Sequence, residues 1–375
     1  MVTIDFSINL KPILKWPGGK QDELNIINAY LPNHINNYFE PFLGGGAVYL
    51  SMPANVYAYV NDKSFDLMNL YQSVASQDRL FLTTLNHIID YWHSLEEVVE
   101  ENSDLLLTNY QRVNDDFVAN FVVDNHIELF EALSHHLKFD MTFYISVLEK
   151  SLRQKIQRMH KLEIQKGTLS DTDIQDNLEG ATKAGFYYYL RHLYNNSDKF
   201  SIATAIRSAI FFFIRENAYG SMFRFNSKGE FNIPYGGISY NRKNIKAKLE
   251  RLKNPFLISR LSNSTLCNLD FYEFLSVYSP DTGDFMFLDP PYDSDFSSYD
   301  QNTFGETDQH RLANYLLNEC KANFMLVIKH TPFIFSLYND RGLNIHPFDK
   351  KYMYNVKERN NRDVTHLLIT NYVVE

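Results

Sequence analysis

Asp284-Phe285-Met286-Phe287-Leu288-Asp289-Pro290-Pro291-Tyr292 places four consecutive apolar residues between two acids and stops them with two prolines. An uninterrupted apolar run of this length predicts a strand buried on both faces, as in a sheet covered by helices on either side. Proline fixes φ and donates no N–H, so the chain must leave the sheet stiffly at Pro290. Asp289 and Tyr292 are therefore expected at the carboxyl end of a central strand, where open α/β sheets bind ligands. A proline-rich strand exit with an incidental acid is the plainer reading. The same turn would also suit a flat amine: the carboxylate accepts one N–H, a backbone carbonyl accepts the other, and the tyrosine ring stacks.

Two glycine-rich turns lie upstream. Lys15-Trp16-Pro17-Gly18-Gly19-Lys20 reads as a tight turn feeding a helical pattern through Leu24, Ile27 and Leu31. It lacks the leading glycine of a P-loop, and Gln21 follows the lysine, which excludes that motif. Phe39-Glu40-Pro41-Phe42-Leu43-Gly44-Gly45-Gly46 reads as a strand running into a glycine turn and a helix start, the way a Rossmann-like fold brings backbone close to a nucleotide. Tyr49 stands where the dinucleotide fingerprint needs its third glycine, which disfavours a nicotinamide dehydrogenase. A second strand over 56–60 ends in Asn61-Asp62. There Asp62 could hydrogen-bond a ribose or simply cap the helix that follows. Further strands are expected over 265–269, ending at Asp270-Phe271, over 323–328 and over 365–371.

The 375 residues, 45% hydrophobic and 22% charged, suit one large domain with a smaller inserted one. Two cysteines form no disulfide framework and match no metal-ligand spacing, and no signal peptide is visible, so a cytoplasmic address and no metal are expected. The longest apolar run, 209–214, is too short to span a bilayer. Residues 78–170 read as a helical insertion, with adjacent His135 and His136 facing apart, and 166–180 as a polar loop. The catalytic domain is thus placed in 1–77 and 261–375, with the insertion and a recognition region in 78–260.

A net charge of −9 argues against indiscriminate nucleic-acid binding, yet 207–260 holds eleven Lys and Arg against Glu216, Glu230 and Glu250. Within it, aromatics alternate on both sides of the turn Ser227-Lys228-Gly229-Glu230, predicting a β-hairpin. A basic, aromatic-rich hairpin fits phosphate-backbone contact, although such a charge run is commonly just a solvated face.

The order of KWPGGK (15–20), FEPFLGGG (39–46), the hairpin FRFNSKGEFNIPYGG (223–237) and DPPY (289–292) resembles the Dam-like, D12-class DNA adenine-N6 methyltransferases of the α arrangement. The resemblance implies an α/β, Rossmann-like S-adenosylmethionine-dependent methyltransferase sheet with a helical insertion and a β-hairpin target-recognition region. It implies S-adenosylmethionine bordered by Trp16, Lys20, Glu40, Pro41, Phe42, Gly44, Gly46, Asp62, Asp270, Phe271 and Asp289. Asp289, Pro290, Pro291 and Tyr292 would act on the adenine, and Tyr219, Arg224, Asn226, Lys228, Pro234 and Lys243 on double-stranded DNA. The implied activity is EC 2.1.1.72. Gly220-Ser221 and Lys329-His330 depart from close Dam relatives, so no recognition sequence is carried over. The ending ERNNRDVTHLLITNY (358–372) resembles methyltransferases paired with restriction systems, making a cognate restriction endonuclease, or a phage origin, the expected context. Cytosine-N4 transfer shares the amine logic, and a silent DNA-binding regulator would be expected to lack Asp289 or the glycine turn.

Overall fold

A computed structural model of the chain describes residues 10–112, 117–292, 304–351 and 363–374. It divides into two compact units, residues 1–76 with 254–375, and residues 77–253. The boundary expected at 260/261 would cut the helix Pro255–Ser262, which belongs whole to the first unit.

The first unit is built on seven strands: β1 (Asn37–Glu40), β2 (Tyr57–Asn61), β3 (Ser264–Cys267), β4 (Phe285–Leu288), β5 (Asn323–Lys329), β6 (Asn344–Lys351) and β7 (Asp363–Thr370). They form one sheet in the order β3-β2-β1-β4-β5-β7-β6. The first five are parallel, and β7 runs antiparallel between β5 and β6. Strand order turns outward in both directions from the β1–β4 pair, which makes that pair the topological switch point. All four residues of β4 are fully buried, as its unbroken apolar run requires. On one face Phe39, Met286, Leu288, Phe324, Leu326 and Ile328 share a core with the helices Phe271–Tyr278, Glu306–Asn318 and Pro332–Tyr338.

β6 has no counterpart in the sequence reading. Its Asn-Ile-His-Pro-Phe-Asp-Lys-Lys offers no apolar run and contains Pro347. Proline is tolerated because β6 is an edge strand, held by eight residue pairs to β7. Of the ending noted above, 358–362 lies outside the described residues, and the remainder forms β7 and the turn after it.

The second unit is helical, with its core between the helices Arg79–Glu101, Asp171–Asn195 and Thr204–Asn217. Ile210 to Ile214 are entirely buried in the last of these, and Trp92 packs edge-on against Phe213 with ring centroids 5.1 Å apart. The loop expected over 166–180 is mostly helix. Ser170 accepts the Asp173 N–H at 3.1 Å and donates to its carboxylate at 2.7 Å, an N-cap that starts the helix at Asp171. His135 and His136 do not face apart; a 3₁₀ turn brings their ring centroids to 3.8 Å. The unit also closes on itself, since Gln77 Nε2 at its start donates to the Leu252 carbonyl at its end at 3.1 Å. In the first unit Ser262 Oγ donates to the Ala75 carbonyl at 3.1 Å, so the two chain crossings are tied there as well.

Candidate active site and nucleic-acid surface

In the first unit, the carboxyl ends of β1, β2 and β3 are stitched together by one side chain, Asn61. Its Nδ2 donates to the Pro41 and Leu269 carbonyls, both at 3.1 Å, and its Oδ1 accepts the Leu269 N–H at 2.8 Å. The loop after β1 then folds back onto β2. Asp62 accepts the Gly44 N–H at 2.8 Å with one oxygen and the Ser64 N–H at 2.9 Å with the other. Gly44 and Gly46 both have positive φ. A Cβ on Gly44 would sit 2.8 Å from the Trp16 ring, and one on Gly46 would sit 2.6 Å from the Tyr71 hydroxyl. Both positions therefore demand glycine by conformation and by crowding. The half-buried Trp16 lies against this turn. Asp62 thus has a structural task in the turn beside the one expected of it.

Next to this turn, Asp289 leaves β4 with Lys20 on its carboxylate. Lys20, only 3% exposed, places Nζ 2.5 Å from Asp289 Oδ2, 3.1 Å from the Tyr292 hydroxyl and 3.0 Å from the Gly18 carbonyl. One lysine from the glycine-rich amino-terminal turn thereby organises both polar members of the Asp-Pro-Pro-Tyr stretch. Pro290 is buried and Pro291 exposed. The Pro291 carbonyl accepts Gln309 Nε2 at 2.8 Å from a fully buried side chain on the following helix. The Tyr292 ring meets His366 of β7 edge-on at 5.4 Å.

Phe42, Phe271 and Phe304 form an apolar wall at the same sheet edge, with centroids 5.5 to 5.7 Å apart. Asp270 caps the helix after it by accepting the Tyr272 N–H at 3.0 Å, and receives both Arg311 guanidinium nitrogens at 2.7 and 3.4 Å. Burial pushes its carboxyl up, but the Arg311 pair and the Tyr272 N–H outweigh that and hold it below the usual range. Its charge is therefore already committed.

Glu40, 2% exposed, points inward, and the Tyr38 hydroxyl donates to it at 2.6 Å. Burial pushes this carboxyl up to about 8, against the hydrogen bonds from Tyr38 and the Tyr49 N–H and with help from the charges of Asp289 and Asp62. Between pH 4.5 and about 8 the folded chain keeps a proton that the unfolded chain releases, so this residue makes stability fall as pH rises through that window. Glu40→Gln, neutral at every pH, should match wild type near pH 5. Near pH 8.5 it should be more stable by on the order of a few kcal/mol. Thermal melts of both proteins across that range measure the difference; parallel curves would refute the assignment.

In the second unit, the segment after Asn217 is a hairpin in reduced form. It closes through isolated antiparallel bridges, Ala218 to Tyr235 and Phe225 to Phe231, rather than through a continuous ladder. Phe223, Phe231, Ile233 and Tyr235 are buried, while Arg224 and Pro234 are exposed, the two-residue period of an extended chain with one face covered. Its aromatics mostly pack inward: Phe223 lies 6.1 Å from Phe211, and Phe231 6.3 Å from Tyr194. Tyr219, Arg224, Lys228 and Pro234 are exposed. Asn226 instead builds the turn, accepting the Lys228 and Glu230 N–H groups and donating to the Glu230 carboxylate. Lys243 is tied down too, donating to the Glu216 carbonyl at 2.6 Å and lying 3.6 Å from the Tyr240 ring centroid.

The basic excess over 207–260 shrinks once placed in three dimensions. Arg215 and Arg260 are buried, and Arg260 belongs to the first unit, where it donates to the Val56 and Tyr49 carbonyls. Lys248 pairs with Glu216, Lys253 with Glu250 and Arg242 with Asp176. Composition counts Arg215, Arg260 and Lys248 without seeing that they are buried or paired with a buried acid, whereas the pairs of Lys253 and Arg242 stay exposed. It also misses the buried Lys183, which joins Glu179, Glu96 and the Asn241 carbonyl at 2.6 to 3.1 Å.

Among the described residues no group of three His, Cys, Asp or Glu could hold a metal ion, and no helix is long and apolar enough to cross a membrane. A mostly parallel sheet with an acid-proline-proline-tyrosine turn at its switch point defines a methyltransferase of the Rossmann-like class. The chain belongs to the D12 class of N6 adenine-specific DNA methyltransferases, whose family model matches residues 16–161 and 126–354. It is 25% identical to the type II methyltransferase M1.LlaDCHI of Lactococcus lactis subsp. cremoris over 97% of this chain and 96% of that one. It is 28% identical to the type II methyltransferase M.MjaIII of Methanocaldococcus jannaschii, over 97% and 100%. With the DNA adenine methylase of Haemophilus influenzae it shares 23% over 88% and 83%. Its reaction is therefore methyl transfer to N6 of adenine in DNA.

Proposed function

We propose that the methyl donor is S-adenosylmethionine, bound at the β1–β4 switch point, and that Asp289, the Pro290 carbonyl and Tyr292 act on an adenine turned out of the duplex. The observation that carries this reading is the position of Asp289 and Tyr292 together at the carboxyl end of β4, both held by Lys20. The residues at that edge fit such a donor: a glycine turn without Cβ atoms, a carboxylate at Asp62 and an apolar wall at Phe42, Phe271 and Phe304 that suits a purine. When bound, the donor supplies an electrophilic methyl on a sulfonium.

Adenine N6 is a poor nucleophile because its lone pair is conjugated with the ring. Asp289 accepts one N–H and the Pro290 carbonyl the other, which favours a pyramidal nitrogen and orients its lone pair. Positioning of this kind is worth up to about 7–11 kcal/mol. Lys20 already donates to the Asp289 oxygen, so the incoming amine must share that carboxylate with it or displace it. Tyr292 offsets part of the unstacking cost, about a few kcal/mol.

Arg224, with Tyr219, Lys228 and Pro234, forms the face that reads DNA. This site-specific, adenine-specific chemistry belongs in the cytoplasm, as the modification partner of a restriction endonuclease, a context supported by the type II names of two relatives. Calorimetric titration with S-adenosylmethionine, without added metal, tests the cofactor assignment. Asp62→Ala frees the Gly44 turn and should weaken binding at least about tenfold, the loss of one charge-assisted hydrogen bond. No binding by the wild type would sink the cofactor assignment, and equal affinity in the variant would remove Asp62 from the site.

A further inference from the structure

The second arm of the hairpin, 231–235, alternates like a strand and meets the first arm along one edge; along its other edge a helix, rather than a strand, satisfies its backbone. Asn195 spends both ends of its amide on one residue. Its Nδ2 donates to the Phe231 carbonyl at 3.0 Å, and its Oδ1 accepts the Phe231 N–H at 2.8 Å. Two residues on, the Ile233 carbonyl accepts both Arg191 Nη1 and the Tyr187 hydroxyl at 3.0 Å.

Tyr187, Arg191 and Asn195 are spaced by four along the helix Asp171–Asn195 and so share one face. Four helical residues rise about 6.0 Å. Two extended residues span about 6.6 Å. The step from Asn195 to Arg191 therefore matches the step from Phe231 to Ile233, with helix and arm running in opposite directions, and Tyr187 adds a second bond to the Ile233 carbonyl. A slip of one residue would put Ile233 and Tyr235 on the outer face in place of Asn232 and Pro234. The helix side chains thus close the edge of the arm that faces away from its partner, while the ladder between the arms is cut by the 3₁₀ turn Tyr219–Ser221 and by Pro234, which has no N–H.

We propose that Asn195, Arg191 and Tyr187 are positioning residues for DNA recognition, a surrogate strand that fixes the register of the hairpin and so decides which side chains face the duplex. This rests on the reading of the hairpin as the DNA-reading surface.

The test uses the full-length enzyme. Methylation-sensitive sequencing first identifies the preferred site. Methylation rates are then compared on that duplex and on duplexes altered at one base pair. Asn195→Leu removes both bonds to Phe231 at similar volume. It should lower the ratio of preferred to altered rates about tenfold, with KM for DNA rising and kcat on the preferred site little changed. Tyr187→Phe removes only a hydroxyl, keeps the buried ring and should shift the ratio in the same sense by less. It decides the question if the leucine variant does not fold. An unchanged ratio in the folded variants, or a fall in kcat with the ratio preserved, overturns the proposal. Arg224→Ala separates this inference from the reading beneath it. If Arg224→Ala leaves site choice unchanged, the hairpin is not the reader and both fall. If Arg224→Ala changes it while Asn195→Leu and Tyr187→Phe do not, the surrogate strand alone is refuted.

Discussion

Asp289→Ala should abolish nearly all turnover. Asp289 is the carboxylate of the turn after β4, and in the proposed mechanism its loss removes the acceptor that orients the adenine amine. Deleting one preorganised electrostatic partner of a reacting group typically lowers kcat by about 10²–10³. The variant has a second effect that the ion pair makes predictable. Lys20 is 3% exposed and would lose its charged partner, so folding stability should also drop, by roughly 3–5 kcal/mol for a fully buried pair and less here because Asp289 is 18% exposed. Asp289→Asn keeps the shape and an acceptor oxygen for Lys20, so it should melt closer to wild type and still turn over poorly. Single-turnover methylation alongside thermal melts separates the two effects. Near-normal kcat in a folded Asp289→Asn would show that the carboxylate's charge is not the chemical requirement.

Tyr292 divides differently between plate and hydroxyl. Its hydroxyl accepts from Lys20 at 3.1 Å, so Tyr292→Phe loosens the lysine without removing the ring and should retain substantial activity. Tyr292→Ala removes the stacking surface, worth about 1–3 kcal/mol, and should cost roughly ten- to a hundredfold in rate. A mismatched target adenine already carries less unpairing cost, so mismatched duplexes should partly rescue Tyr292→Ala but not Asp289→Ala. Equal rescue of both variants would mean that the two residues do not divide extrusion and chemistry in this way.

Much of the sheet unit was legible because its signals are local. The run Phe285–Leu288 is buried as read, and the chain leaves β4 at the two prolines. The glycine turn after β1 is conformationally required. What escaped the sequence is long-range polar pairing. Asn61 meets Leu269, 208 residues away, and Lys183 meets Glu96, 87 residues away, and neither has a local signature. The basic region misled for a related reason: Arg215 and Arg260 count as charges in composition, yet their guanidinium groups are enclosed by protein. β6 was invisible because an edge strand can be polar and hold a proline when its neighbour supplies the register.

The hydrogen bond between Gln77 and the Leu252 carbonyl, matched by that between Ser262 and the Ala75 carbonyl, gives the insertion the anatomy of a cassette. Both ends of the inserted piece are clasped to each other, and so are the two ends of the host at the splice. The chain therefore enters and leaves the insertion at ends that are paired within each unit, with no strand pairing at either. If the hairpin of this insertion reads DNA, as proposed, recombination at those two seams is a route by which a lineage of such enzymes would exchange target choice and keep its sheet.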